Sequence, residues 1–127
     1  TALPPAVAAG ALASVRWLKR HPEVRDRHQE RSATLKRRFQ EIGLPVLPSV
    51  SHIVPVLVGE AVLCKQASDA LMERHGVYVQ PINFPTVDRG TERLRFTPTP
   101  LHSDADIDHL VMAMQDVWRR LGLRAAA

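Results

Sequence analysis

Arg93 and Arg95 are the residues whose type and spacing most clearly point to chemistry. They alternate with Leu94 and Phe96 in the run RLRF. A spacing of two puts both guanidinium groups on one face of a strand and leaves Leu94 and Phe96 on the packed face. A guanidinium is costly to place in a core, so it faces a carboxylate, a phosphate or water. Its planar fork can grip a carboxylate through two parallel hydrogen bonds, and a strand holds such a group more accurately than a loop does. Arg93 reads as a solvent-facing strand residue. Arg95 stands just before the polar turn TPTP and is the better carboxylate anchor. Thr86, in the Pro-rich loop before the strand, offers a hydroxyl to the same site.

Other chemistries lack their residues. There is no phosphate-cradling GxxxxGK[ST], no GxGxxG, no HExxH and no CxxC. The six histidines stand at 21, 28, 52, 75, 102 and 109, with no i,i+4 metal pair among them. His52 and His102 read as structural, and His109 as solvent-facing. Ser51 and Ser103 have no visible base and orienting acid, so a hydrolase triad is unsupported. Lys19, Lys36 and Lys65 are the only lysines, all on helical stretches among charged neighbours. None has the desolvated setting of a Schiff-base lysine. The single cysteine, Cys64, excludes an internal disulfide and fits a reducing cytosol.

The elements that must position Arg95 are legible from periodicity. Pro4 and Pro5 can open a helix over residues 6–19. The dipeptide His21-Pro22 breaks it, because a residue before proline avoids the α region. Residues 22–42 form the clearest amphipathic helix, with Val24, His28, Arg31, Leu35, Phe39 and Ile42 as its narrow stripe. Gly43 suits a left-handed end. Residues 44–59 read as one or two strands interrupted by Pro48 and Pro55. A helix over 61–75 closes at Gly76. Strands follow over 77–82 and 93–97, with a loop over 85–90. Ser103 and Asp106 have the spacing of a capping box for a last helix. Its buried stripe is Ile107, Leu110, Val111, Met114, Val117 and Leu121, and the last three alanines read as frayed.

That order predicts an α+β fold: a small, largely antiparallel sheet with helices packed on one face. The other face is left free for another domain. Residues 1–43 are expected to be helices that link to a larger domain, and residues 44–127 to be the small α+β domain. The chain lacks an initial Met and reads as a segment of something longer. No apolar run approaches the roughly 18 residues of a membrane span. The net charge of +4 is concentrated in residues 16–38. There, acidic residues sit at helical spacing from the basic ones, as on a solvated face. No aromatic residues interleave them as a stacking platform needs, so nucleic acid is not the expected partner.

The segments YVQPINFPTV, RG and LRFTPTPLH, with TALPPAVAAGALASVR and SHIVPVLVG before them, resemble the C-terminal domain of the 5-aminolevulinate synthase family. These are pyridoxal-phosphate-dependent α-oxoamine synthases of the aspartate-aminotransferase fold type. The resemblance covers nearly the whole chain. It implies condensation of glycine with succinyl-CoA to 5-aminolevulinate, CoA and CO2, in tetrapyrrole and heme synthesis, by a cytoplasmic bacterial homodimer. It implies that Arg95 binds the carboxylate of the cofactor-bound glycine and that Thr86 helps to hold the succinyl carboxylate. Asn83 is carried as a possible substrate contact. Thr1 matches a threonine that reaches the cofactor phosphate of the neighbouring subunit.

The chain departs from the family pattern at TVDRG, where Asp88 replaces a frequent proline. A proline lost there loosens the loop. The family's cofactor lysine, its pyridine-nitrogen aspartate and its ring-stacking histidine belong to the large domain. The chain alone is therefore expected to hold no catalytic residue and to be inactive. Two alternatives stand beside this reading: a sister α-oxoamine synthase using another acyl-CoA, and a free-standing basic domain that binds nucleic acid through residues 16–38.

Overall fold

A computed structural model describes residues 2–126. Four helices and three strands follow the order α1 (Pro5–Arg20), α2 (Pro22–Glu41), β1 (Val54–Leu57), α3 (Ala61–His75), β2 (Gln80–Ile82), β3 (Arg93–Phe96) and α4 (Asp104–Arg120). The strands form one antiparallel sheet in the order β1-β3-β2. The α+β expectation holds. Residues 44–59 contribute a single strand, with Val46 adding only an isolated bridge to Val56.

Each helix boundary has a local cause. Pro5 and Pro22 both stand in the first turn of their helix, where a missing N–H costs nothing. Gly76 adopts φ +65° beyond α3, and its N–H reaches back to the carbonyls of Leu71 and Met72. At α4, Ser103 accepts from the Asp106 amide, and the Asp106 carboxylate accepts from the Ser103 amide, which completes the expected capping box. The cap of α3 was not foreseen. It is Glu60, whose two carboxylate oxygens accept from the amides of Val62 and Leu63 at 2.8 Å each.

The core lies between one face of the sheet and helices α2, α3 and α4. Val54, Val56, Leu94 and Phe96 point into it and meet Leu35, Phe39, Leu71, Met114 and Val117. Phe39 and Phe96 pack edge to face with centroids 5.1 Å apart. Helix α2 thus belongs to the same core as the strands, whereas α1 buries no residue. Trp118 is buried too, although the expected stripe, which ran on to Leu121, did not include it. Its indole donates to the Arg124 carbonyl at 2.9 Å, and the Ala126 amide donates to the Gly43 carbonyl at 2.8 Å. The tail is therefore tied back onto the end of α2 as far as Ala126, where fraying was expected.

Candidate functional site

The alternation read in RLRF is real. Leu94 and Phe96 are buried, Arg93 is half-buried and Arg95 is exposed. Register then decides what surrounds each arginine. Arg95 lies opposite Pro55 on one side and Gln80 on the other, and Arg93 lies opposite Leu57 and Ile82. The open face of the sheet is thus two short rows, each with an arginine in the middle.

The two arginines differ in how they are used. Arg93 donates from Nε to the Thr91 carbonyl at 2.8 Å. Arg95 has no hydrogen-bond or carboxylate partner among the described residues. An exposed cation with no anion of its own can receive one from outside. Arg31 shows the opposite case. It is buried, receives Glu30 on Nε and Nη2 at 2.6 Å each, and reaches Asp104. Both carboxylates push its pKa up, and Arg31, followed by Thr34, holds Glu30 down at about 2.

Arg95 also lines a cleft of about 620 Å³ at the end of the sheet where β2 begins and β3 ends. Tyr78, Gln80, Thr97, His102 and His109 share that lining. Asn83 and Thr86 lie at the other end of β2. Two residues of strand separate Arg95 from the Arg93–Ile82 pair beside that loop, or roughly 6–7 Å. Thr86 is exposed, and its hydroxyl has no partner among the described residues. Asn83 donates from Nδ2 to the Ala61 carbonyl at 3.2 Å, while its Oδ1 is buried and unpaired. The expected cofactor contact at Thr1 lies outside the described residues.

The alternative nucleophiles and bases are occupied by structure. Ser51 accepts from the Ile53 amide, Ser103 caps α4, and His102 accepts from the Thr99 amide at 2.9 Å. His28 donates to the Pro98 carbonyl and packs 4.8 Å from His52. His109 is exposed, as expected, yet it donates to the His75 carbonyl. Cys64 is fully buried, and burial pushes its thiol up to about 11, too high for a thiolate nucleophile at neutral pH. Lys65 is paired with Asp69, and Lys36 donates to the carbonyls of Ser49 and Ser51. Much of the charge in residues 16–38 is likewise spent internally: Arg27, Arg37 and Arg38 pair with Glu30, Glu41 and Asp108. Among the described residues no group of three or more His, Cys, Asp or Glu could hold a metal ion, and no helix is long and apolar enough to cross a membrane. The open sheet face offers an external ligand a free guanidinium, that of Arg95.

Known proteins share both the sequence and the shape. The chain is 58% identical over 126 residues to 5-aminolevulinate synthase 1 of Cereibacter sphaeroides, covering 99% of this chain and 31% of that protein. It is 52% identical over 127 residues to the mitochondrial 5-aminolevulinate synthase of Emericella nidulans, covering all of this chain and 20% of that one. It thus spans a third or less of the relatives' length. The fold matches serine palmitoyltransferase from S. paucimobilis, solved with bound PLP and myriocin, at a TM-score of 0.84 and 27% identity over 95% of this chain and 31% of that one. The α+β unit seen here is therefore the fold of the C-terminal small domain of that enzyme. The family described as aminotransferase class I and II matches residues 1–114, and the chain belongs to it.

Proposed function

We propose that this chain is the C-terminal part of a 5-aminolevulinate synthase, an enzyme that joins glycine to succinyl-CoA and releases CoA and CO2. The observation that carries the reading is identity of 52–58% with such synthases over 97–100% of the chain. The sister-synthase alternative has the weaker support, since the serine palmitoyltransferase shares the fold at only 27% identity.

Within that reading Arg95 anchors the amino-acid carboxylate. Its exposure, its lack of an internal anion and its place on a hydrogen-bonded central strand fit it for that role. A fixed carboxylate orients the bonds at the neighbouring carbon, which is how a positioning cation contributes to rate. Thr86 supplies a free hydroxyl to the far carboxylate of the acyl group. The described residues do not fit covalent carriage of pyridoxal phosphate. Lys36 and Lys65 are spent on carbonyls and on Asp69, and Lys19 stands on α1, apart from the open face. The cofactor is accordingly assigned to the larger part of the synthase. Residues 1–43 are proposed to link to that larger part and residues 44–127 to form the small domain, into whose core α2 packs Leu35 and Phe39. A homodimer in a bacterial cytosol completes the reading. The higher identity to the bacterial relative than to the mitochondrial one supports the bacterial part.

A chimaera tests it: the Cereibacter sphaeroides relative with its matching C-terminal portion replaced by this chain. Glycine-dependent release of CoA from succinyl-CoA, with formation of 5-aminolevulinate, is the expected result. A folded chimaera that turns over only a different acyl-CoA would sink the assignment.

A further inference from the structure

The loop between β2 and β3 carries Thr86, and both of its stems are fastened to one short segment. At the first stem, Asn83 Nδ2 donates to the Ala61 carbonyl at 3.2 Å. At the second, the Glu92 carbonyl accepts from the amides of Val58 and Gly59 at 2.8 and 2.9 Å. The Glu92 side chain is 3% exposed and turns back to accept from the Gly90 amide at 2.8 Å. A buried carboxylate is retained only at a cost, and here its visible contact holds the loop's own backbone. Gly59 and Gly90 stand so close that a Cβ on Gly59 would lie 3.5 Å from the Gly90 carbonyl oxygen. Both have positive φ, +82° and +84°, which favours glycine. The anchoring segment is itself rigid, because Glu60 caps α3 within it.

The loop between the stems is held too. The Thr86 amide donates to the Asn83 carbonyl at 2.9 Å, so the position of Thr86 is read directly from Asn83. The Asp88 carbonyl accepts from the Thr91 amide and hydroxyl, and Arg89 lies 4.6 Å from the centre of the Phe84 ring. The amide of Asn83 cannot be reversed without turning its oxygen toward the Ala61 carbonyl. Its Oδ1 therefore stays buried and unpaired, a polar cost that a merely stabilising residue would not need.

We propose that Asn83 and Glu92 are positioning residues. The Asn83 side chain ties the first stem to Ala61 at the start of α3, the Glu92 carboxylate braces the second stem through the Gly90 amide, and together they set where Thr86 meets the acyl substrate. The proposal rests on the synthase reading for the identity of that substrate, but the clamp does not.

The experiment uses the full-length chimaera and its Asn83→Ala, Glu92→Ala and Glu92→Gln variants. Two quantities are read: amide exchange of the peptide spanning 83–92, and KM for succinyl-CoA against KM for glycine. Each alanine variant is expected to speed loop exchange and to raise KM for succinyl-CoA by about tenfold, the effect of one lost hydrogen bond. KM for glycine and exchange in α4 stay unchanged. Glu92→Gln keeps an acceptor for the Gly90 amide and restores both values. Unchanged loop exchange overturns the clamp, as does an equal rise in both KM values or a loss of thermal stability alone. A chimaera that makes no product from succinyl-CoA, yet shows the loop loosened by the alanine variants, leaves the clamp standing and removes the synthase reading instead.

Discussion

Arg31 on α2 reaches Asp104 in the first turn of α4 and holds Glu30 on its other edge. One guanidinium thus ties two helices through residues that are 73 apart in sequence. Asp104 also lies where the α4 dipole favours a negative charge. Lysine cannot fork onto Glu30 and reach Asp104 at once, so Arg31→Lys is expected to lower the melting temperature nearly as far as Arg31→Ala. Equal stability of Arg31→Lys and the parent in thermal denaturation would show that charge alone suffices.

Two carboxylates, one in this cluster and one on α4, set a pH dependence. Glu30 is held down from an ordinary 4.5 to about 2 by Arg31, then by Thr34. Asp116 is held down from 3.8 to about 2, first by Arg120 and then by His75. A carboxylate with a lowered folded pKa adds stability above its unfolded pKa and loses it as pH falls through the folded one. The melting temperature should therefore be level above about pH 5 and fall between about 4.5 and 2. Glu30→Gln and Asp116→Asn should each flatten that fall. A parent curve that is flat down to pH 2 would contradict the assignment.

Helix α4 owes its start to Ser103. The hydroxyl accepts from the Asp106 amide at 3.2 Å, and Asp106 returns the bond to the Ser103 amide at 2.7 Å. Removing such a cap costs about 1 kcal/mol, so Ser103→Ala should show that loss in urea titration. Ser103→Asp should recover most of it. A loss in Ser103→Asp as large as in Ser103→Ala would mean that the hydroxyl serves another purpose.

The helices were legible because their signals are local. Pro5, Pro22, Gly76 and the Ser103/Asp106 pair act within one turn, and the stripe from Leu35 to Phe39 follows the helical period. The arginine face was legible for the same reason, since alternation in RLRF is a two-residue signal. What escaped depends on distant partners. Glu60 is an unusual cap, and nothing in its neighbourhood announces one. Lys36 looks like a surface residue until the 49–51 carbonyls fold over it. The burial of Glu92 against Val58 and Gly59 links segments that only the β1–β3 pairing brings together. The same limit applied to Asn83, whose tie to Ala61 crosses from the end of β2 to the start of α3.

Cys64 should be silent toward thiol reagents in the native protein. It is fully buried, and desolvation is the main cause of a thiol pushed up to about 11, with Glu92 and Glu60 adding to it. Reaction with a chromogenic disulfide at pH 8 should release no thiolate before unfolding and one equivalent after denaturant is added. Fast reaction in the native state would show that the α3 side of the core opens, and Glu92→Ala should then accelerate it further.

Arg95 decides the proposed activity. Among the described residues it is the guanidinium of the open sheet face that makes no side-chain hydrogen bond, and Pro55 and Gln80 flank it without neutralising it. A carboxylate bound there makes two charge-assisted contacts, each worth about 1.5–3 kcal/mol. Arg95→Ala in the chimaera should therefore lower kcat/KM for glycine by at least about 100-fold, with one decade for each 1.4 kcal/mol. Arg95→Lys should recover only part of that, because an ammonium cannot present the planar fork. Folding should be unaffected, since Arg95 is exposed and makes no contact that the core needs. The discriminating control is Arg93→Ala. Arg93 shares the face but spends Nε on the Thr91 carbonyl, so its loss should disturb the loop stem more than glycine binding. If Arg93→Ala lowers kcat/KM for glycine as much as Arg95→Ala does, the two arginines act as one site and the assignment to Arg95 alone is wrong.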